Sequence, residues 1–307
     1  MSPLSEALAR YLSMRRGFGF KLISQSRMLN GFVAYMERQA DEIITAKLAL
    51  DWATQSGGPR SWPDRLSALR GFARYVSITE PRTEIPPTGM LASRRRRAPY
   101  IYSDAQVCSL LEAMLTLPPA ASLRRWSYYA VFGLLAVTGL RISEALRLER
   151  DDVDLDAGIL TIRETKFGKS RIVPIHSTTV AALNDYAVRR DAHRQRRASA
   201  YFFTGDQGGR IYHQGIHLAF CAVSRQIGLR HGDAATGPRI HDLRHRYAIS
   251  TLLRWYRAGD DVEQRLPQLS TYLGHSHVRD TYWYLSACPE LMEHAALRLE
   301  ARWEMMS

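Results

Sequence analysis

Thr138-Gly139-Leu140-Arg141-Ile142-Ser143-Glu144-Ala145-Leu146 closes the longest apolar run of the chain, Tyr128 to Leu140, and turns it at a glycine onto an arginine and a carboxylate. The run is too short to span a bilayer and reads as a buried helix over 122–138. Arg141 and Glu144 stand three residues apart, on one face of a second helix expected over 141–149. Beyond it, Asp152-x-Asp154-x-Asp156 has the look of a calcium loop, but Ala157 holds the position that needs glycine and Arg163 the one that needs a bidentate glutamate. It reads instead as a polar turn. Gly158 to Ile162, a turn near Phe167-Gly168, and Arg171 to Ile175 form an antiparallel pair. Further helices are expected at 103–116, 177–197, 212–227 and 240–257, then to the C-terminus. The fold is mainly α with a small antiparallel β-sheet.

Upstream the pattern is helical. Leu4, Leu8 and Tyr11-Leu12 recur at helical spacing, as do Met28, Phe32 and Tyr35-Met36, and Leu66, Leu69, Phe72-Ala73 and Val76. Proline and glycine between Pro81 and Pro99 mark a junction. The domains are set at 1–85 (helical), 86–100 (a basic linker) and 101–307 (the mixed domain, with a C-terminal helix at 290–305).

The chain of 307 residues carries 42 Lys+Arg against 30 Asp+Glu, a net charge of +12. Residues 1–100 hold +8 of that excess, from 16 basic and 8 acidic residues. This balance suggests a polyanionic partner, although charge alone establishes only solubility and non-specific attraction. The side chains expected on a duplex backbone are Arg15, Arg16, Lys21, Arg70, Arg74 and the run Arg94, Arg95, Arg96 and Arg97, with Lys169 on the hairpin. Cys108, Cys221 and Cys288 are too scattered for a disulfide framework or a metal knuckle, so a reducing cytosol is the expected setting. The first ten residues lack the apolar core of a signal peptide.

Four segments of the second domain carry chemistry-bearing residues. They are the Arg141 segment, Thr165-Lys166-Phe167-Gly168-Lys169-Ser170-Arg171, His241-Asp242-Leu243-Arg244-His245, and Leu273-Gly274-His275 with Tyr284 nine residues on. Phosphodiester transfer without a metal needs cations on two non-bridging oxygens, a proton donor for the leaving oxygen and a nucleophile. Arginine matches phosphate oxygens with a permanent planar fork. Lysine can donate a proton when its pKa is lowered, and tyrosine attacks once helped to lose its proton. His241 and His245 at i, i+4 do not make a metal helix, because Asp242 stands where a glutamate is needed and Arg244 and Arg246 repel a cation.

In this order, the segments resemble the tyrosine recombinase (phage integrase) family, whose pattern is T-G-x-R-x-S-E, a hairpin lysine, H-x-x-R, L-G-H and a tyrosine nine residues later. The likeness runs from Thr138 to Tyr284, and the basic helical domain extends it over nearly the whole chain, as a two-domain clamp. It implies a site-specific recombinase that needs neither metal nor other cofactor. Tyr284 would form a 3′-phosphotyrosyl link, Arg141 and Arg244 hold the phosphate, Lys166 protonate the leaving 5′-oxygen, His241 assist Tyr284 and His275 bond the phosphate. Lys169 competes with Lys166, and Tyr282 with Tyr284.

Met292, Ala295-Ala296, Leu299 and Trp303 form an apolar stripe, expected to dock on a neighbouring protomer in a tetramer around two duplexes, alone or with partner recombinases. The stretch Gly259 to Leu269 and the segments around His275 and Tyr284 look like recombinases of transposons and other mobile elements. A bacterial cytoplasmic, nucleoid-associated protein without membrane contact is expected. Two other classes share the fold: a type IB topoisomerase and a catalytically idle DNA-binding protein.

Overall fold

The computed structural model describes residues 2–92, 97–163, 170–193, 199–231 and 237–304. It divides into two compact units, Met1–Arg97 and Ala98–Ser307.

The first unit packs four helices, α1 (Pro3–Gly17), α2 (Ile23–Gln39), α3 (Ala46–Gln55) and α4 (Trp62–Val76). Ser2 caps α1 by accepting from the Ser5 amide, satisfying one of the donors that a helix start leaves open. The stripes expected on α1, α2 and α4 form one core, in which Phe32, Met36, Leu69 and Phe72 are fully buried. Helix α3 adds Trp52, edge-on to Phe32 at 5.2 Å. Its ten residues make fewer than about three helical turns, a short stretch in which to single out a period from the sequence. The chain after α4 is fastened back onto this unit. Glu84 donates its amide to the Ile44 carbonyl at 2.8 Å, and Arg70 donates to the carbonyls of Pro86 and Pro87 at 2.7 and 2.8 Å. Met90 and Leu91 pack on the core.

The second unit is built around α6 (Leu123–Thr138), which packs against α5 (Asp104–Leu115), α8 (Ser177–His193) and α10 (Asp242–Arg257). Phe132 at its centre stacks on Phe220 of α9 (His213–Gln226), ring centroids 5.7 Å apart. The expected helix after Gly139 is only one turn, α7 (Ile142–Ala145). Past it the backbone leaves the helix to pair with a distant segment: Phe202 donates its amide to Leu148 and Arg150 its amide to Ala200, both at 2.8 Å. A 3-10 turn (Arg150–Asp152) then leads to a third short strand where a polar turn was expected. The sheet order is β1 (Val153–Asp154), β2 (Ile159–Ile162), β3 (Arg171–Pro174), all antiparallel, with Leu160 opposite Val153 and Val173. Leu160, Ile162 and Val173 face inward, the period-2 alternation of a half-buried sheet.

A separate cluster joins α10 to α11 (Val262–Leu273), α12 (Arg279–Ala287) and α13 (Pro289–Glu304) through Ile249, Leu252, Leu266, Leu273, Tyr284 and Leu291. Among the described residues, no helix is long and apolar enough to cross a membrane.

Phe132 is wholly buried in close packing, so Phe132→Ala leaves a cavity the stacked partner cannot fill. It is expected to lower unfolding free energy by about 3–5 kcal/mol in a denaturant titration.

Candidate active site

A helix end leaves its last carbonyls without intrahelical donors. At the end of α11 the chain turns through Gly274 at φ +69°, with the Gly274 amide on Thr271 O at 2.9 Å and the His275 amide on Ser270 O at 2.9 Å. Three successive carbonyls of this turn are each taken by an arginine from a different element. Arg171 Nε of β3 donates to Tyr272 O at 2.7 Å, Arg244 Nη2 of α10 to Leu273 O at 2.7 Å, and Arg141 Nη2, at the start of α7, to Gly274 O at 3.0 Å. Cations suit this position because the partial charge of a helix C-terminus is negative. Only glycine fits at 274, where a Cβ would also lie 2.7 Å from Arg171 Nη1.

The same device is repeated at the end of α6. Gly139, at φ +63°, ends the helix and presents its carbonyl to Arg244 Nη1 at 2.9 Å. Arg244 is thus gripped at both terminal nitrogens by backbone from two helix ends, and only 2% of it is exposed. Burial and the nearby Arg141 lower its pKa to about 10, which leaves it charged at neutral pH. Arg141 is the open member, its side chain 33% exposed.

Glu144 balances these cations. Its Oε1 accepts from Arg141 Nη1 at 2.8 Å and Arg171 Nη1 at 3.2 Å, and its Oε2 from Arg171 Nη2 at 2.8 Å and the Arg141 amide at 3.0 Å. Burial alone would raise its carboxyl, but the hydrogen bonds and charge of Arg171, joined by Arg141, outweigh this and hold it down to about 2.

Helix α12 carries Tyr284 into the same cluster. The residue is 2% exposed, while Tyr282, two positions earlier, is 49% exposed. The Tyr284 hydroxyl lies 3.4 Å from His245 Nδ1, and its ring lies nearly parallel to His275 with centroids 6.0 Å apart. Thr281 pins His275, Oγ1 to Nδ1 at 2.7 Å. His241, at the N-terminus of α10, meets His245 edge to face at 4.7 Å, so the imidazole beside the tyrosine hydroxyl is that of His245. His241 is exposed by surface area, yet the protein crowding its ring penalises the charged form. Arg244 and Arg141 add repulsion, and together these push its pKa down to about 4.

Of the residues singled out from sequence, Arg141, His241, Arg244, His275 and Tyr284 come together here. Lys166 and Lys169 lie outside the described residues, as do Arg94, Arg95 and Arg96. Arg16, Lys21, Arg74 and Arg97 are exposed. Arg15 lies over the Phe20 ring at 4.0 Å, and Arg70 is committed to the Pro86 and Pro87 carbonyls. Sequence reading gave no part in the chemistry to Arg171 or His245; their signals were the hairpin register and the i, i+4 spacing from His241. Among the described residues, no group of three or more His, Cys, Asp or Glu is placed to hold a metal.

The phage integrase family model matches residues 102–290. A putative integrase/recombinase of Sinorhizobium fredii, y4rB, is 50% identical over 311 residues, 99% of either chain. Tyrosine recombinase XerD of Mycobacterium tuberculosis is 32% identical over 227 residues, 71% of this chain and 67% of the relative. Among solved structures, the Tn1549 transposon integrase in complex with transposon right end DNA superposes with a TM-score of 0.69 at 15% identity, over 97% of this chain and 98% of the other. The recombinase XerH bound to palindromic difH substrate gives 0.64 at 20% identity, over 90% and 78%. What these two structures share with the chain is the fold.

Two titrations follow. With its pKa near 4, His241 is expected to stay neutral from pH 8 to about 5. Its ring carbon signal in an NMR titration should show no inflection near the ordinary histidine value, and one there would contradict the electrostatics above. The folded pKa of Glu144 is depressed, so its contribution to stability is full above pH 4.5 and is lost as pH falls towards 2. Glu144→Gln should flatten that acid limb of a melting-temperature profile.

Proposed function

The chain belongs to the phage integrase family and is a tyrosine-type site-specific recombinase, from which we infer that Tyr284 cleaves and rejoins duplex DNA. The Tyr284 oxygen attacks the scissile phosphorus, an O–P bond forms, and the bond to the 5′-oxygen breaks. The 3′-end is left on the tyrosine and a 5′-hydroxyl is released. Lys166 supplies the proton to that oxygen, with Lys169 as its competitor. The phosphodiester's bond energy is kept in the covalent link, so attack by a 5′-hydroxyl of a second duplex reverses the chemistry and completes exchange without ATP.

The observation that carries this reading is the setting of Arg141 and Arg244 on adjacent carbonyls, Gly274 and Leu273, beside the histidines that surround Tyr284. Two guanidiniums so fixed match the two non-bridging oxygens of one phosphate, and preorganised cations of this kind stabilise the charge that develops on attack. His275 adds a hydrogen bond to the phosphate. His245, rather than His241, stands nearest the hydroxyl that must lose its proton. A nucleophile only 2% exposed is withheld until DNA binding rearranges α12.

Double-stranded DNA is the partner, gripped at its backbone by the exposed cations of the first unit and by the run Arg94 to Arg97. The mobile-element role, integration or transposition, rests on the likeness to the Sinorhizobium integrase/recombinase and the Tn1549 integrase fold. Helix α13 is held at its start by buried Leu291 and by Arg257 bonded to Glu290. Met292 and Trp303, on one side of the helix, lie 53% and 66% exposed, a surface suited to a neighbouring protomer in a tetramer. A type IB topoisomerase would need no such surface.

Covalent capture tests the assignment. A nicked duplex recovered from a random-sequence pool by trapping on the wild-type protein should give no covalent product with Tyr284→Phe, while binding persists and Tyr282→Phe still traps. Loss of trapping with Tyr282→Phe alone would move the nucleophile. Strand exchange between two such duplexes, rather than relaxation of a supercoiled circle, separates recombinase from topoisomerase. Replacing Arg94 to Arg97 with glutamine should flatten the log-log salt dependence of binding by about 0.9 for each phosphate that is no longer neutralised.

A further inference from the structure

Arg171 opens β3 and is nearly as buried as Glu144, their side chains 9% and 8% exposed. Its guanidinium spends one nitrogen on Tyr272 O and two on Glu144. We propose that Arg171 is a positioning residue for DNA cleavage, which holds Glu144 between two guanidiniums and thereby keeps the charge and aim of Arg141 available to the phosphate. The inference rests on the function proposed above.

Charge and geometry both lead there. Arg171, Glu144 and Arg141 together carry one net positive charge. Glu144 shares its two oxygens between both arginines, and Arg141 keeps a nitrogen on Gly274 O. With Arg171 removed, the trio sums to zero. Glu144 Oε2 would then hold only the Arg141 amide, and the freed oxygen would draw in the Arg141 guanidinium bidentately, away from Gly274. Arg141 would face the scissile phosphate already neutralised. Arg171 itself need not touch DNA for this to slow the reaction.

The test compares covalent complex formation by wild type, R171A, R171K and R171A/E144Q. The substrate is the trapped nicked duplex, carrying either an ordinary phosphate or a methylphosphonate at the scissile position. A methylphosphonate has lost one charged oxygen and asks less of the arginines. On phosphate, R171A should cleave about 10- to 100-fold more slowly while binding the duplex as wild type does, a loss typical of a displaced catalytic group. R171K should fall between. R171A/E144Q, in which Arg141 is again unneutralised, should cleave faster than R171A. On methylphosphonate the deficit of R171A should largely vanish. An equal deficit on both substrates, no deficit on phosphate, or a double variant slower than R171A would each overturn the inference. Should the buried carboxylate left in R171A unfold the protein, R171K and R171A/E144Q carry the comparison against wild type on the two substrates. Absence of covalent product from the wild-type protein would instead strike the proposed function.

Discussion

The arginine cluster of the candidate site depends on one end of one helix. Guanidiniums repel each other, and three elements could not bring Arg141, Arg171 and Arg244 together unless something negative waited at the centre. The C-terminus of α11 supplies it, as three successive carbonyls without helical donors, and Glu144 adds the one full negative charge. Burial first, and the residual repulsion second, lower the pKa values of Arg244 and His241. A phosphate entering this field would meet cations already held in place by backbone, with little reorganisation left to do.

Much of this was legible in the sequence because it is local. The Arg141–Glu144 pair, the Gly139 and Gly274 turns and the one-face spacing of His241 and Arg244 are short-range features, and helical period placed α6, α10 and the stripes of the first unit. What escaped is long-range. Which histidine meets the Tyr284 hydroxyl is set by how α12 lies on α10, and i, i+4 spacing leaves His241 and His245 equally eligible. Arg171 could be counted as a register mark on a hairpin, but its bonds reach 27 residues back to Glu144 and 101 forward to Tyr272. The helix after Gly139 was expected to run over 141–149, through Leu146 and Leu148. Both are buried, yet in a chain that has left the helix to pair with residues 200–202. Arg70 shows the same limit from the other side, since its position on a basic helix gives no hint that two proline carbonyls hold it.

Tyr284 and the arginines are organised differently. The arginines are fixed by backbone, while the tyrosine sits in a small apolar cluster with Leu252, Leu273 and Leu291, among aromatic and imidazole rings. Rings can slide against one another at modest cost, whereas a doubly bonded buried guanidinium cannot leave without exposing unsatisfied groups. The arginine half of the site is therefore held by directional hydrogen bonds, the tyrosine half mainly by packing.

The choice of main-chain carbonyls as anchors bears on inheritance. A side-chain change within α11 deletes no carbonyl, so positions outside its buried face of Leu266, Leu269 and Leu273 can drift through mutation while the three arginines stay where they are. Pro267 in the middle of α11 is an example of what such a scaffold tolerates. The vulnerable letters are few: the arginines themselves, Glu144, and the glycines at 139 and 274, whose backbone turns deliver the carbonyls. A lineage could rewrite most of the surrounding helices and still pass on the same site.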